Sequence, residues 1–204
     1  MEQTTTVKTP VLIYTEETPN PESLKFVTNR MLYRGTADFN DVETAREWTP
    51  LGDGLYDLPY VKGVYICNNF VTVTKEFNYN WHEIMMPLKE FVKKWLEDEK
   101  EIIKDGFTEA MAGKEAKEIQ EAYTGDDIEI VKKIKELIDT YVKPAVEMDG
   151  GNIEFRSYNN GIVNVLLQGS CSGCPSSTVT LKAGIEGMLK RMVPQVTEVV
   201  SEMG

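Results

Sequence analysis

The chain has 204 residues, with 33 acidic against 22 basic side chains, a formal net charge of -11, 3 cysteines and a hydrophobic fraction of 41%. That length suits one large or two small domains, and the composition is that of a folded protein with a buried core. Acidity without any basic block repels phosphate backbones and anionic headgroups, and the apolar runs fall far short of the ~18 residues of a membrane span, so neither nucleic acid nor membrane is an expected partner.

Three cysteines are too few, and odd in number, for a disulfide framework. The opening MEQTTTVKTPVLIY has neither a basic region ahead of an apolar one nor an Arg-rich amphipathic pattern. It predicts a cytoplasmic protein, in whose reducing surroundings a close cysteine pair is a metal or redox site before it is a structural bridge.

Residues 11–15 and 23–28 read as short strands around the turn signal Thr18-Pro19-Asn20-Pro21, where each proline biases its predecessor out of helix. Asn40 can cap a helix over 41–47, and Thr49-Pro50 forms the cap and first position of a second. Residues 64–67 and 70–75 flank Asn68-Asn69, a hairpin signal because asparagine tolerates positive φ. From Trp81 to Leu96 the apolar residues recur at three- and four-residue steps, which predicts an amphipathic helix kinked or delayed by Pro87. The expected order over 1–96 is ββααββα.

Residues 97–125 carry 9 acidic against 4 basic side chains, with few large apolar residues and three glycines, and read as an acidic, partly helical linker. A helical arm packed on one domain is the competing view, and the Ala/Glu/Lys content permits it. Over 126–204 the expected order is αββαβ. A helix stops near Pro144, Asp149-Gly150-Gly151 turns, two strands flank Asn159-Asn160-Gly161, a helix follows Pro175, and residues 196–200 return as a strand. The fold class is therefore α+β, two small domains (1–96 and 126–204) joined by the linker.

The chemistry concentrates in Gly169-Ser170-Cys171-Ser172-Gly173-Cys174-Pro175, a loop that leaves a strand and enters a helix. The i, i+3 spacing lets both sulfurs point to one side of a turn, and the free amides of a helix N-terminus favour thiolate, the form that soft metals and nucleophilic chemistry both require. A closed zinc or iron–sulfur site usually takes four protein ligands, and this domain offers two, Cys171 and Cys174. Cys67, in an apolar strand, reads as a small core residue, and His82 as a helix-end histidine. If four thiolates meet, the simplest source is a second copy of the chain.

Three stretches carry a family resemblance. GSCSGCPSSTVTLKAGIEGMLKRMVPQVTEV, with VKPAVEMDGGNIEF upstream, resembles the C-terminal domain of NifU, an iron–sulfur cluster scaffold module. TPNPESLKF, RGTADF and LYDLPYVKGVYICNNFVTVTKE, with the helix from Trp81, resemble the N-terminal domain of Nfu-type proteins. The resemblance covers about 10–96 and 127–204, both domains in family order. It implies a non-enzymatic homodimer that holds a 4Fe–4S cluster between Cys171 and Cys174 of two protomers. Its implied partners are the cluster assembly machinery and the apo iron–sulfur proteins that receive the cluster.

Two rivals belong to other classes. A thiol–disulfide oxidoreductase also sets a C-x-x-C between strand and helix, although here Pro175 follows the second cysteine and the leading βαβ unit is missing. A structural zinc clip would give a colourless dimer with one metal per two chains. Asp149-Gly150-Gly151 reads first as a turn and second as a support for the cysteine loop. Ser176, Ser177 and Thr178 satisfy free helix amides rather than act as nucleophiles, since this domain has no histidine to serve as base.

Overall fold

A computed structural model describes residues 9–123, 125–171 and 175–203 of the chain. Each of two sheets is covered by helices and has its own core, the α+β arrangement expected. The first contains β1 (Ile13–Glu17), β2 (Ser23–Thr28), β3 (Tyr33–Phe39), β4 (Val61–Asn68) and β5 (Phe70–Lys75), antiparallel in the order β1-β2-β5-β4-β3. Period-two alternation turns Phe26, Phe39, Ile66 and Val71 to one face. There they meet α1 (Val42–Trp48), α2 (Pro50–Tyr56) and α3 (Trp81–Glu97). Asp41, not the expected Asn40, caps α1 through its side chain, and Thr49 caps α2, with Pro50 in the first turn of α2.

Three further local readings change. Residues 33–39 form β3, an edge strand that makes the order βββααββα. Its solvent-facing Arg34 and Gly35 and a register shift between Tyr33 and Thr36 break the alternation, while Ala37 and Phe39 are buried. Pro87 neither delays nor ends α3, which runs from Trp81 to Glu97. The proline lies on the exposed side, and Ile84, Leu88, Val92 and Leu96 bury the opposite stripe, so core packing outweighs one missing amide. Nor does the helix before Pro144 stop there. α5 (Asp126–Leu137) passes through a π-turn at Ile138–Val142 into α6 (Lys143–Met148), and the proline occupies the first turn of α6, where its absent N–H costs little.

The acidic segment is helical over α4 (Phe107–Ala122). Phe107 inserts into the first core against Tyr33, Phe39 and Trp48, while Tyr123 belongs to the second core, where its hydroxyl accepts the Tyr158 amide at 2.7 Å. The segment is thus anchored at both ends by aromatic side chains.

The second sheet has the order β6 (Gly151–Asn159), β7 (Ile162–Gly169), β8 (Glu198–Met203). β6 and β7 form a hairpin over Asn160 and Gly161, both at positive φ, and β8 runs parallel to β7 with Leu167 opposite Met203. α5, the π-turn, α6 and α7 (Pro175–Met192) supply Val131, Ile134, Ile138, Val146, Ile185 and Leu189 to its core.

The face of the first sheet turned away from its helices is not open to water. Cross-strand register places Asp38, Tyr65, Thr72 and Lys25 in one row and Thr36, Cys67, Phe70 and Val27 in the next. Both rows lie against the second unit. Thr72 Oγ1 donates to the Gly150 carbonyl at 3.0 Å and Lys25 Nζ to the Met148 carbonyl at 3.1 Å, while Asn152 Nδ2 approaches Thr36 Oγ1 at 3.5 Å.

Candidate functional site: the Cys171 loop

β7 ends at Gly169, whose φ of +60° turns the chain out of the sheet. The turn is tied to the one before β6. The Ser170 amide donates to the Gly150 carbonyl at 3.2 Å, Ser170 Oγ donates to the Asp149 carbonyl at 2.6 Å, and the Cys171 amide reaches the Gln168 carbonyl at 3.3 Å. Cys171 is buried, 4% exposed, with its sulfur over Gly151. A Cβ at Gly151 would stand 2.8 Å from Cys171 Sγ and 2.8 Å from the Gln168 carbonyl, so only glycine leaves the space that the sulfur occupies.

The Asp-Gly-Gly turn therefore supports the cysteine loop, the second of its two sequence readings. Cys174, the other expected ligand, lies outside the described residues, as do Ser172 and Gly173. Among the described residues the loop supplies one thiol, that of Cys171, beside a glycine turn and ahead of the helix that begins at Pro175.

The other sequence candidates stand apart from the loop. Cys67 is buried in the outer face of the first sheet with Val27, Tyr65 and Phe70, and burial pushes its thiol above the ordinary range. His82 is exposed in the first turn of α3. Among the described residues no group of three His, Cys, Asp or Glu side chains is gathered closely enough to hold a metal ion. Among the described residues a surface cleft of about 620 Å³ lies at the far hairpin around Asn159–Gly161, and another of about 420 Å³ lies between Tyr14, Phe70 and Met148.

Sequence reasoning missed the residues that reach the loop from the first sheet. Asp38 accepts a hydrogen bond from the Gly169 amide, and the Tyr65 ring lies 3.0 Å from where a Gly169 Cβ would be. Burial raises the Asp38 carboxyl to about 7, against the lowering effect of the hydrogen bond from Asn40, and the negative charge of Glu154 on β6 adds to the rise. The only advance signal was the RGTADF stretch, too polar to read as a strand.

The geometry defines a small α+β unit that carries a buried thiol at the end of a strand, coupled to a second α+β unit. The family model for the NifU-like domain matches residues 134–200, and that for the scaffold protein Nfu/NifU N terminal matches residues 13–99. The NFU1 iron-sulfur cluster scaffold homolog, mitochondrial, of Drosophila willistoni is 38% identical over 198 residues, covering 94% of this chain and 64% of that protein. NifU-like protein 4, mitochondrial, of Arabidopsis thaliana is 38% identical over 195 residues, covering 94% and 66%. The chain belongs to the Nfu/NifU family.

It spans about two thirds of the length of these relatives. A solution structure of a NifU-like protein from Saccharomyces cerevisiae aligns with a TM-score of 0.44 at 20% identity, covering 52% of this chain and 94% of that one. The expectation of a cytoplasmic protein is overturned, because both curated relatives are named as mitochondrial. An import address is a separable segment read by receptors, so the composition of folded units does not report it.

Proposed function

We propose that the chain is a non-enzymatic iron–sulfur scaffold in which Cys171 and Cys174 of two protomers hold a 4Fe–4S cluster and pass it to apo-proteins. The observation that carries this reading is the Cys171 thiol, seated over Gly151 at the end of β7 within the segment that matches the NifU-like domain. Two thiolates per chain make half of a four-ligand set, and a second protomer supplies the other half. The names of the relatives support a scaffold role and a mitochondrial setting. In this reading the cluster is cargo. A recipient's thiolates replace the loop's thiolates one at a time, and the chain supplies binding and release rather than a reaction on a substrate.

Anaerobic reconstitution with iron and sulfide is expected to give a brown dimer with about four iron atoms per two chains. Cys171→Ser and Cys174→Ser are each expected to lose the chromophore, and Cys67→Ser to keep it. A chain that stays monomeric and takes up no iron overturns the proposal. Catalytic disulfide reduction by the iron-free protein would establish the oxidoreductase instead.

A further inference from the structure

The outer face of the first sheet and the cysteine loop of the second unit meet directly. Gly169 lies two residues before Cys171, and it is covered by the Tyr65 ring while its amide is held by the Asp38 carboxylate. Gly150 adjoins the glycine on which the Cys171 sulfur sits, and Thr72 and Lys25 pack against it, with Thr72 Oγ1 2.9 Å from where a Gly150 Cβ would be. Gly150 and Gly169 are both at positive φ and both lack the side chain that would hold the sheet away, so the close approach depends on them. Cys67 is 1% exposed on this face, although it points away from its own unit's helix-covered core, and Glu147 and Lys143 of the second unit lie near enough to act on its thiol.

We propose that the first unit is a lid on the Cys171 loop, docked through its outer sheet face onto Gly150 and Gly169, and that undocking is the step that opens the loop to thiol-directed partners. Four-thiolate ligation across two protomers needs the loops of both chains at one surface, and a docked first unit stands against Gly169, two residues before Cys171, and against Gly150, next to the glycine under its sulfur. The lid accordingly alternates with a second protomer or a recipient at this end of the sheet. That consequence rests on the scaffold reading above; the docking and its effect on thiol access do not.

Alkylation of the reduced, iron-free full-length chain, resolved by peptide mass, tests it, because Cys67 reports docking and Cys171 reports access. Two variants act on the contact without touching the first unit's helix-covered core. Thr72→Trp places a large ring where only the Gly150 backbone fits. Lys25→Glu removes the bond to the Met148 carbonyl and sets a carboxylate toward Glu147, another residue of the cleft that Lys25 lines.

Cys67 is expected to label at least tenfold faster in each variant than in the wild type, and Cys171 several-fold faster, with a larger radius of gyration and unchanged far-ultraviolet circular dichroism. Equal Cys67 rates in all three proteins, whether fast or slow, overturn the docking. A Cys67 rate that rises while that of Cys171 does not overturns the lid. A chain that opens as expected yet takes up no iron keeps the lid and loses the scaffold reading.

Discussion

Asp38 is a carboxyl held where its charge is poorly solvated, and the consequence is a defined pH dependence. Its carboxyl is raised from 3.8 to about 7, so between these values the folded chain keeps a proton that the unfolded chain has released. Stability therefore falls as pH rises from about 4 to about 7 and is level beyond, the sign that follows when the native state binds more protons. Glu154 from β6 and the Asn40 side chain face the carboxyl, and its charge in turn raises Tyr56 and Tyr65. Asp38→Asn keeps an acceptor for the Gly169 amide and removes the charge. Urea titrations at pH 5.5 and pH 8 are expected to show the wild type losing stability across that interval, and the variant gaining about 2 kcal/mol at pH 8 with the slope abolished. That gain is smaller than the full free energy of so large a displacement, because the carboxylate keeps partial contact with water.

The residues that could be read from sequence were those whose chemistry is intrinsic. The cysteine spacing, the glycines of Asp149-Gly150-Gly151 and the burial of Cys67 all follow from residue type and neighbours. Asp38, Tyr65 and Thr72 were illegible because nothing local marks them. Their role comes from the strand register, which sets one residue from each of three strands in a single row facing the other unit.

At the scale of elements, the helix over residues 107–122 shows what weak periodicity hides. Its sequence has little apolar content, yet one residue decides where it starts. Phe107 is 6% exposed among Tyr33, Phe39 and Trp48. Removing a buried aromatic side chain costs about 3–5 kcal/mol, so Phe107→Ala is expected to lower the unfolding free energy of the first unit by that amount while leaving the Cys171 loop intact. Denaturant unfolding followed by tryptophan fluorescence measures it. An acidic linker that made no contact would show no change.

β3 and α3 carry the complementary lesson. β3 was obscured by Arg34 and Gly35, and α3 was over-restricted by Pro87, because local rules see the backbone of one segment and not the core that the rest of the chain offers it. Ile84, Leu88, Val92 and Leu96 hold α3 in place despite its proline, and Ala37 and Phe39 hold β3 despite its polar start.

Over the whole molecule, the two cores share no residues, and the units touch through one sheet face and one pair of glycine turns. Trp48, Trp81 and Trp95 all lie in the first unit, so indole fluorescence reports that unit alone. Fluorescence and far-ultraviolet circular dichroism are expected to give different denaturation midpoints, since chains with separate cores depart from two-state behaviour. Coincident curves would mean that the docked face couples both units into one transition. Residues 97–125 carry -5 of the net charge of -11 that removed nucleic acid from consideration at the outset, which leaves each folded unit only mildly acidic.

The parallel register of β7 and β8 sets Met203 opposite Leu167, four residues ahead of Cys171. Any polypeptide fused after β8 therefore emerges on the same rim of the sheet as the sulfur. A fluorophore intended to sense loading belongs at that position, where iron–sulfur absorption would quench it, and an affinity handle placed there would crowd the thiol it was meant to help purify.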